Sequence, residues 1–280
     1  MREPPDELFH YTSAAGLYGI LSSRSLWTTM ISYLSDRKEF SYAVEIAHKV
    51  LVDRAQHANA PLLRDFYNRF SESFRWLQKP DVCVFCLTED PDLLSQWRGY
   101  TPPDGGYSIG FDSSALRRIL IREHSRLVPC TYDTIEQGAL LAEALDSAVS
   151  GVLAQLATPS RAELDQLVES ALGAFVRDFV EIAPSIKHPS FKEEREWRLV
   201  SRIVLGKDDQ LNFRPASGVL LPYYKLDLDN GDGSIPIRTL VVGPGPHQDL
   251  AAQAVLLFFE RSGLPELGAL RLSRVPFHPL

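Results

Sequence analysis

The chain carries only three cysteines and two methionines in 280 residues. So few cysteines, and an odd number, exclude a disulfide framework as the main brace of the fold. Basic residues are not in surplus either: 29 Lys and Arg stand against 36 Asp and Glu, a formal charge of −7. A broad, non-specific grip on nucleic acid needs the opposite balance, which leaves room only for a local basic groove. No apolar run reaches the roughly 18 to 20 residues of a membrane span. The opening residues Met1-Arg2-Glu3-Pro4-Pro5-Asp6-Glu7 are too polar for a signal peptide, so a soluble cytoplasmic protein is expected. There is no internal repeat and no Gly/Ser-rich linker. With 45% hydrophobic and 23% charged residues, the composition is that of an ordinary globular protein, and a single domain over 1–280 is expected.

Familiar catalytic signatures are also missing. The seven histidines show no H-x-x-x-H or H-E-x-x-H spacing. There is no Walker loop and no G-x-S-x-G elbow. Gly243-x-Gly245 lacks a third glycine and runs into Pro246, so it is a poor dinucleotide fingerprint. Cys83-x-x-Cys86 lies in the apolar run Val82–Thr88. On a strand, residues three apart point to opposite faces, so the two thiols cannot share a metal. No metal site is expected.

What is present reads as strands interrupted by helical blocks. Leu8–Thr12 is a short strand, and Thr12 or Ser13 can cap a helix carrying Leu17, Ile20 and Leu21 on one face. A strand over Leu26–Tyr33 follows. The next two helices carry Phe40, Val44, Ala47 and Leu51, then Phe66, Phe70, Phe74 and Leu77. Val82–Thr88 reads as a central strand buried on both sides. Strands are expected again at 107–111, 127–132, 196–205, 219–226, 237–242 and 270–275. Between them, residues 134–186 form a helical insertion divided at Pro159, and a helix spans 248–262. This order predicts an α+β fold rather than a doubly wound sheet.

Three segments are dense in polar and aromatic groups: His10-Tyr11-Thr12-Ser13, then Ser95-Gln96-Trp97-Arg98-Gly99-Tyr100, then Lys187 to Arg198. Each has an ordinary structural reading. His10 can be a strand-end histidine bonded to a carbonyl, Trp97 and Tyr100 can be core, and the 187–198 charge run can be solvated surface. Arg98, if buried, needs an anionic or carbonyl partner. Glu196 stands at the mouth of an apolar strand, with Arg198 on the same side and Trp197 on the other.

Together these segments resemble a bacterial family catalogued as domain-of-unknown-function family 2971. The matching features are His10-Tyr11-Thr12, Trp27-x-Thr29 (with Thr28 an equal alternative for the threonine) with Leu34-x-Asp36-x-x-Glu39, Ser95 to Tyr100 with Ile109-Gly110-Phe111, and Lys187 to Arg198. The first forty residues are also similar to the opening of ADP-ribosyltransferases of the His–Tyr–Glu type. There the parallels are His10 and Thr12, the Leu17–Leu21 helix, and Tyr33 with Ser35 and Asp36, with Glu196 in the place of a catalytic Glu on a late strand. That resemblance implies an ADP-ribosyltransferase-like mixed or antiparallel sheet core.

It further implies NAD as substrate. His10 and Thr12 would hold it, with Tyr11, Ser35, Trp97 and Tyr100 in the binding set. Tyr33 would stack on nicotinamide, Arg98 would pair with the diphosphate, and Glu196 would act electrostatically on the ribose. The acceptor can be a protein or a nucleic acid, and the biological role that of a bacterial toxin or antiphage effector. Two other readings use the same residues. A ligand- or nucleic-acid-sensing module would stack on Trp97 and Tyr100 beside Arg98. A metal-independent nuclease would use His10, His188 and Glu196 as acid and base. No heptad or hydrophobic seam marks a subunit interface.

Overall fold

The computed structural model describes residues 2–34, 38–75, 82–153, 160–202, 211–216, 218–231, 233–264 and 267–276. The chain divides into two compact units. One contains Met1–Met30, Cys83–Pro129 and Lys192–Leu280; the other contains Ile31–Val82 and Cys130–Phe191.

The first unit is built on a mixed sheet. Its strands are β1 (Glu7–Thr12), β2 (Ser25–Met30), β3 (Val82–Thr88), β4 (Tyr107–Asp112), β5 (Arg126–Pro129), β6 (Glu196–Arg202), β7 (Leu211–Ala216), β8 (Val219–Asp227), β9 (Ile237–Val242) and β10 (Ala269–Leu272). They run in the order β10-β9-β4-β1-β3-β2-β8-β7, with β6 pairing β3 and β5 pairing β6. β9 and β10 pair in parallel, whereas β1 pairs antiparallel with β3 and β4, and β2 with β8. β3 is central, as its unbroken apolar run demands. Four helices accompany this sheet: α1 (Ala14–Ser23), α4 (Leu94–Tyr100), α5 (Ser113–Arg122) and α8 (Gln248–Ser262).

Local chemistry explains the turns that carry the site. The Ser13 side chain accepts the Gly16 amide and caps α1. Gly16 is needed there for space: a Cβ at that position would fall 1.9 Å from Thr12 Oγ1. β7 and β8 form a hairpin closed at Gly218, whose φ of +79° suits glycine. β7 was not legible as a strand, because Pro215 and a largely polar face break the pattern, and only an outer strand tolerates both.

Three expected strands are shorter than their patterns suggest; the one expected at 270–275 ends at Leu272. The strand expected to continue to Tyr33 ends at Met30. The Ile31 carbonyl instead accepts the Leu34 amide, closing a 3-10 turn over Ile31–Tyr33. Likewise β5 stops at Pro129, which has no N–H to extend a ladder, and Thr131 makes an isolated bridge to Ile186. The segment expected at 196–205 is strand through Arg202, and the remainder lies outside the described residues.

The second unit is helical: α2 (Lys38–Gln56), α3 (Pro61–Arg75), α6 (Thr134–Leu153) and α7 (Arg161–Ile182). α6 and α7 occupy the helical block expected at 134–186. Its core is aromatic. Phe66, Phe70 and Phe74 of α3 are fully buried, and edge contacts link Phe70 and Phe74 to Phe175, and Phe74 to Phe179, at 5.2–5.7 Å. Leu77, expected to extend this row, lies outside the described residues. Buried Gln137 ties the unit together: its Nε2 donates to the Thr131 and Lys187 carbonyls, and its Oε1 accepts from the Tyr42 hydroxyl.

α7 starts with a capping box in which Ser160 Oγ accepts the Glu163 amide and the Glu163 carboxylate accepts the Ser160 amide. Ser160→Ala is expected to lower stability by about 1 kcal/mol, read as a shift in the denaturant midpoint. Among the described residues, no helix is long and apolar enough to cross a membrane.

Candidate functional site

A recess in the first unit is lined by Phe9, His10, Tyr11, Cys86, Leu87, Thr88, Gln96, Tyr100, Glu194 and Glu196. It measures about 40 Å³, room for roughly three waters. Three elements build its walls. β1 supplies Phe9, His10 and Tyr11; the end of β3 supplies Cys86, Leu87 and Thr88; α4 supplies Gln96 and Tyr100. Glu194 arrives from the 3-10 turn Pro189–Glu194 and Glu196 from the first position of β6.

Glu196 is 4% exposed, and Arg198 holds it with two hydrogen bonds, Nε to Oε1 at 2.8 Å and Nη2 to Oε2 at 3.2 Å. The two residues share a strand face because they are two apart. A bidentate guanidinium fixes the plane of the carboxylate as well as its charge. Glu194 is buried nearby, and Tyr100 Oη donates to its carboxylate at 3.4 Å. Thr88 Oγ1 donates to the Glu194 carbonyl. Between the two glutamates, Arg195 has φ of +41°, an uncommon conformation for a residue with a side chain. Through this kink both carboxylates reach one recess. Arg195 itself points to Asp90, 3.0 Å away.

His10 packs on Phe85 with ring centroids 4.1 Å apart, and its Nδ1 lies 2.9 Å from the Cys86 carbonyl. A carbonyl only accepts, so Nδ1 carries the proton and Nε2 keeps its lone pair. Burial is the main reason that the His10 pKa falls to about 4; the Cys86 carbonyl opposes this, and the Arg214 charge adds to it. The imidazole is therefore neutral near pH 7.

This has a consequence for stability. His10 resists protonation in the folded chain but protonates near 6.5 when unfolded. As pH falls from 6.5 towards 4, the unfolded state binds the extra proton and stability drops, by an amount on the order of 2–3 kcal/mol. Urea midpoints at pH 7 and pH 4.5 should show this fall in the native chain and a smaller one in His10→Gln.

Tyr11 also borders the recess, but its hydroxyl is spent on the loop before α4, donating to the Asp90 carbonyl and accepting the Leu93 amide, both at 2.8 Å. Burial pushes its phenol well above the ordinary tyrosine value. Trp97 stands behind it, edge-on at 4.5 Å and 3% exposed. Its Nε1 donates to Asp92 at 2.7 Å. Asp92 also accepts the Arg274 amide at 2.8 Å and the Ser273 hydroxyl, so this loop anchors the C-terminal segment.

Of the residues singled out in the sequence, His10, Tyr11, Tyr100 and Glu196 meet at the recess. Thr12 abuts Gly16 instead. Trp97 is core, whereas Arg98 is exposed and has no hydrogen-bond or ion-pair partner among the described residues. Tyr33 is 44% exposed on the 3-10 turn that begins the helical unit. Ser35 lies outside the described residues, and His188 belongs to the helical unit, where its ring meets Tyr42 at 5.2 Å.

Sequence reasoning missed Glu194, Thr88 and Gln96 as lining residues. The i, i+2 spacing of Glu194 and Glu196 was the available signal for the first. Cys86 borders the recess while Cys83 is buried, as opposite strand faces require. Among the described residues, no group of three or more His, Cys, Asp or Glu is placed to hold a metal ion.

The family model described as "Protein of unknown function (DUF2971)" matches residues 96–199. The resemblance to family 2971 read from the sequence is thus borne out over that stretch, which runs from Gln96 through the Glu194–Arg198 segment. No curated protein and no solved structure matches the chain.

Proposed function

We propose that the chain is an NAD-consuming enzyme of the ADP-ribosyltransferase type, with Glu196 as its electrostatic carboxylate. One observation carries this reading: a buried glutamate, locked by an arginine, borders the same small recess as His10, whose ring is neutral. The recess is rich in acceptors, with two carboxylates and an imidazole lone pair. It suits a ligand edge that presents hydroxyl groups, as a ribose does. At about 40 Å³ it takes that edge alone, so the rest of a dinucleotide lies outside it.

The chemistry follows from the charge. When the C1′–N bond to nicotinamide breaks, its electron pair leaves with nicotinamide and positive charge builds on the ribose. Glu196, accepting a hydrogen bond from a ribose hydroxyl, stabilises that charge more in the transition state than in the ground state. His10 Nε2 would accept a second hydroxyl and orient the sugar. Water or a macromolecular nucleophile then bonds to C1′ and releases its proton to solvent. Such an activity in a bacterial cytoplasm suits a toxin or antiphage effector, with a protein or nucleic acid as acceptor.

The test is purified full-length chain incubated with NAD, alone and with cell lysate, following free nicotinamide and adenylate-labelled macromolecules separately. Nicotinamide release alone marks a glycohydrolase; release with labelling marks a transferase. Absence of both sinks the proposal.

A further inference from the structure

The sequence feature Trp27-x-Thr29 is not used by the recess, and the structure gives it a partner. Trp27 and Thr29 project from one face of β2, being two residues apart. Trp27 stacks on Tyr223 of β8 with centroids 4.7 Å apart and planes 25° from parallel. Arg214 of β7 lies over this pair, its guanidinium carbon 5.9 Å from the Trp27 ring and its Nη2 donating to Thr29 Oγ1 at 3.0 Å. Its Nε is buried and has no hydrogen-bond partner among the described residues. No carboxylate pairs with it among the described residues.

A half-buried guanidinium in this state is unusual. Arginine is normally taken out of water only against an anion, and an orphaned buried N–H costs free energy. Here the charge is supported by an aromatic face and one hydroxyl, neither of which neutralises it. Burial pulls the Arg214 pKa below its ordinary value, with Tyr223 opposing. The same charge is felt at His10, so Arg214 stands within electrostatic reach of the recess.

We infer that Arg214, with Trp27, Tyr223 and Thr29, forms an anion subsite that receives the phosphate-bearing part of a nucleotide whose sugar enters the recess. A phosphate supplies the countercharge that the guanidinium lacks among the described residues, and the stacked rings offer a flat apolar wall beside it. Taking that nucleotide to be the ADP-ribose part of NAD rests on the function proposed above. The subsite itself rests on the Arg214 environment.

The experiment compares equilibrium binding of ADP-ribose and adenosine by the full chain, native and as Arg214→Gln and Arg214→Lys, with thermal melts to verify folding. The native protein should prefer ADP-ribose, and Arg214→Gln should cut that preference about tenfold or more. Arg214→Lys, which keeps charge without the planar fork, should fall between. A native chain that binds ADP-ribose no better than adenosine, or binds neither, overturns the subsite. So does a folded Arg214→Gln that keeps the preference. Should that variant unfold, a preference unaffected by both Arg214→Lys and added salt overturns it equally. NAD turnover by the native chain is scored separately, so the subsite and the catalytic reading can fail independently.

Discussion

Arg198→Met should destabilise the sheet unit by about 3–5 kcal/mol, an effect on the scale of the total stability of many domains. Arg198 is 1% exposed and Glu196 is 4% exposed, and their side chains are joined by two hydrogen bonds. Removing the arginine takes two hydrogen bonds and one countercharge away from a buried carboxylate, and the strand holding it, β6, carries core residues Trp197 and Leu199 on the other face. The pair as a whole need not be strongly stabilising, because taking both charges out of water is costly. The double variant Glu196→Leu/Arg198→Met should therefore recover much of the loss. Denaturant titration of the single and double variants checks this. A single variant within about 1 kcal/mol of native would mean that the carboxylate is far better hydrated than its burial indicates.

Glu196→Gln should lower NAD turnover by roughly a hundred- to a thousand-fold; because the buried Arg198 loses this countercharge, stability falls as well, and turnover is compared below the variant's own melting transition. Glutamine keeps the shape and one acceptor oxygen, so the Arg198 contact survives in part, but the negative charge facing the ribose is lost. The loss should fall on kcat more than on KM, since the charge matters most where the sugar is most cationic. An equal rise in KM with kcat intact would make Glu196 a ground-state binding residue instead.

How far the sequence reached can be judged from these residues. The apolar run at 82–88 announced a central strand, and the 3.6-residue spacing of Phe66, Phe70 and Phe74 announced a buried helix face, because burial imposes those periods. His10 and Glu196 were legible through local motifs, and the structure brings them to one recess. Glu194 was not, since its burial depends on the positive φ of Arg195, which no local preference of arginine predicts. Arg214 was hidden for a different reason: β7 is an outer strand with Pro215 and polar neighbours, so its pairing with β8 is decided by the hairpin rather than by hydrophobic alternation. Arg98 lies between Trp97 and Tyr100 in sequence, but helical geometry turns successive residues about 100° apart, which buries Trp97 and exposes Arg98.

The most direct test is the time course of nicotinamide release from NAD by the purified native chain, run beside Glu196→Gln with lysate present as acceptor. Steady release by the native protein and near-background release by the variant is the predicted result. No release by the native chain would contradict the enzymatic reading and leave the recess as a binding site; equal release by both would remove Glu196 from the chemistry.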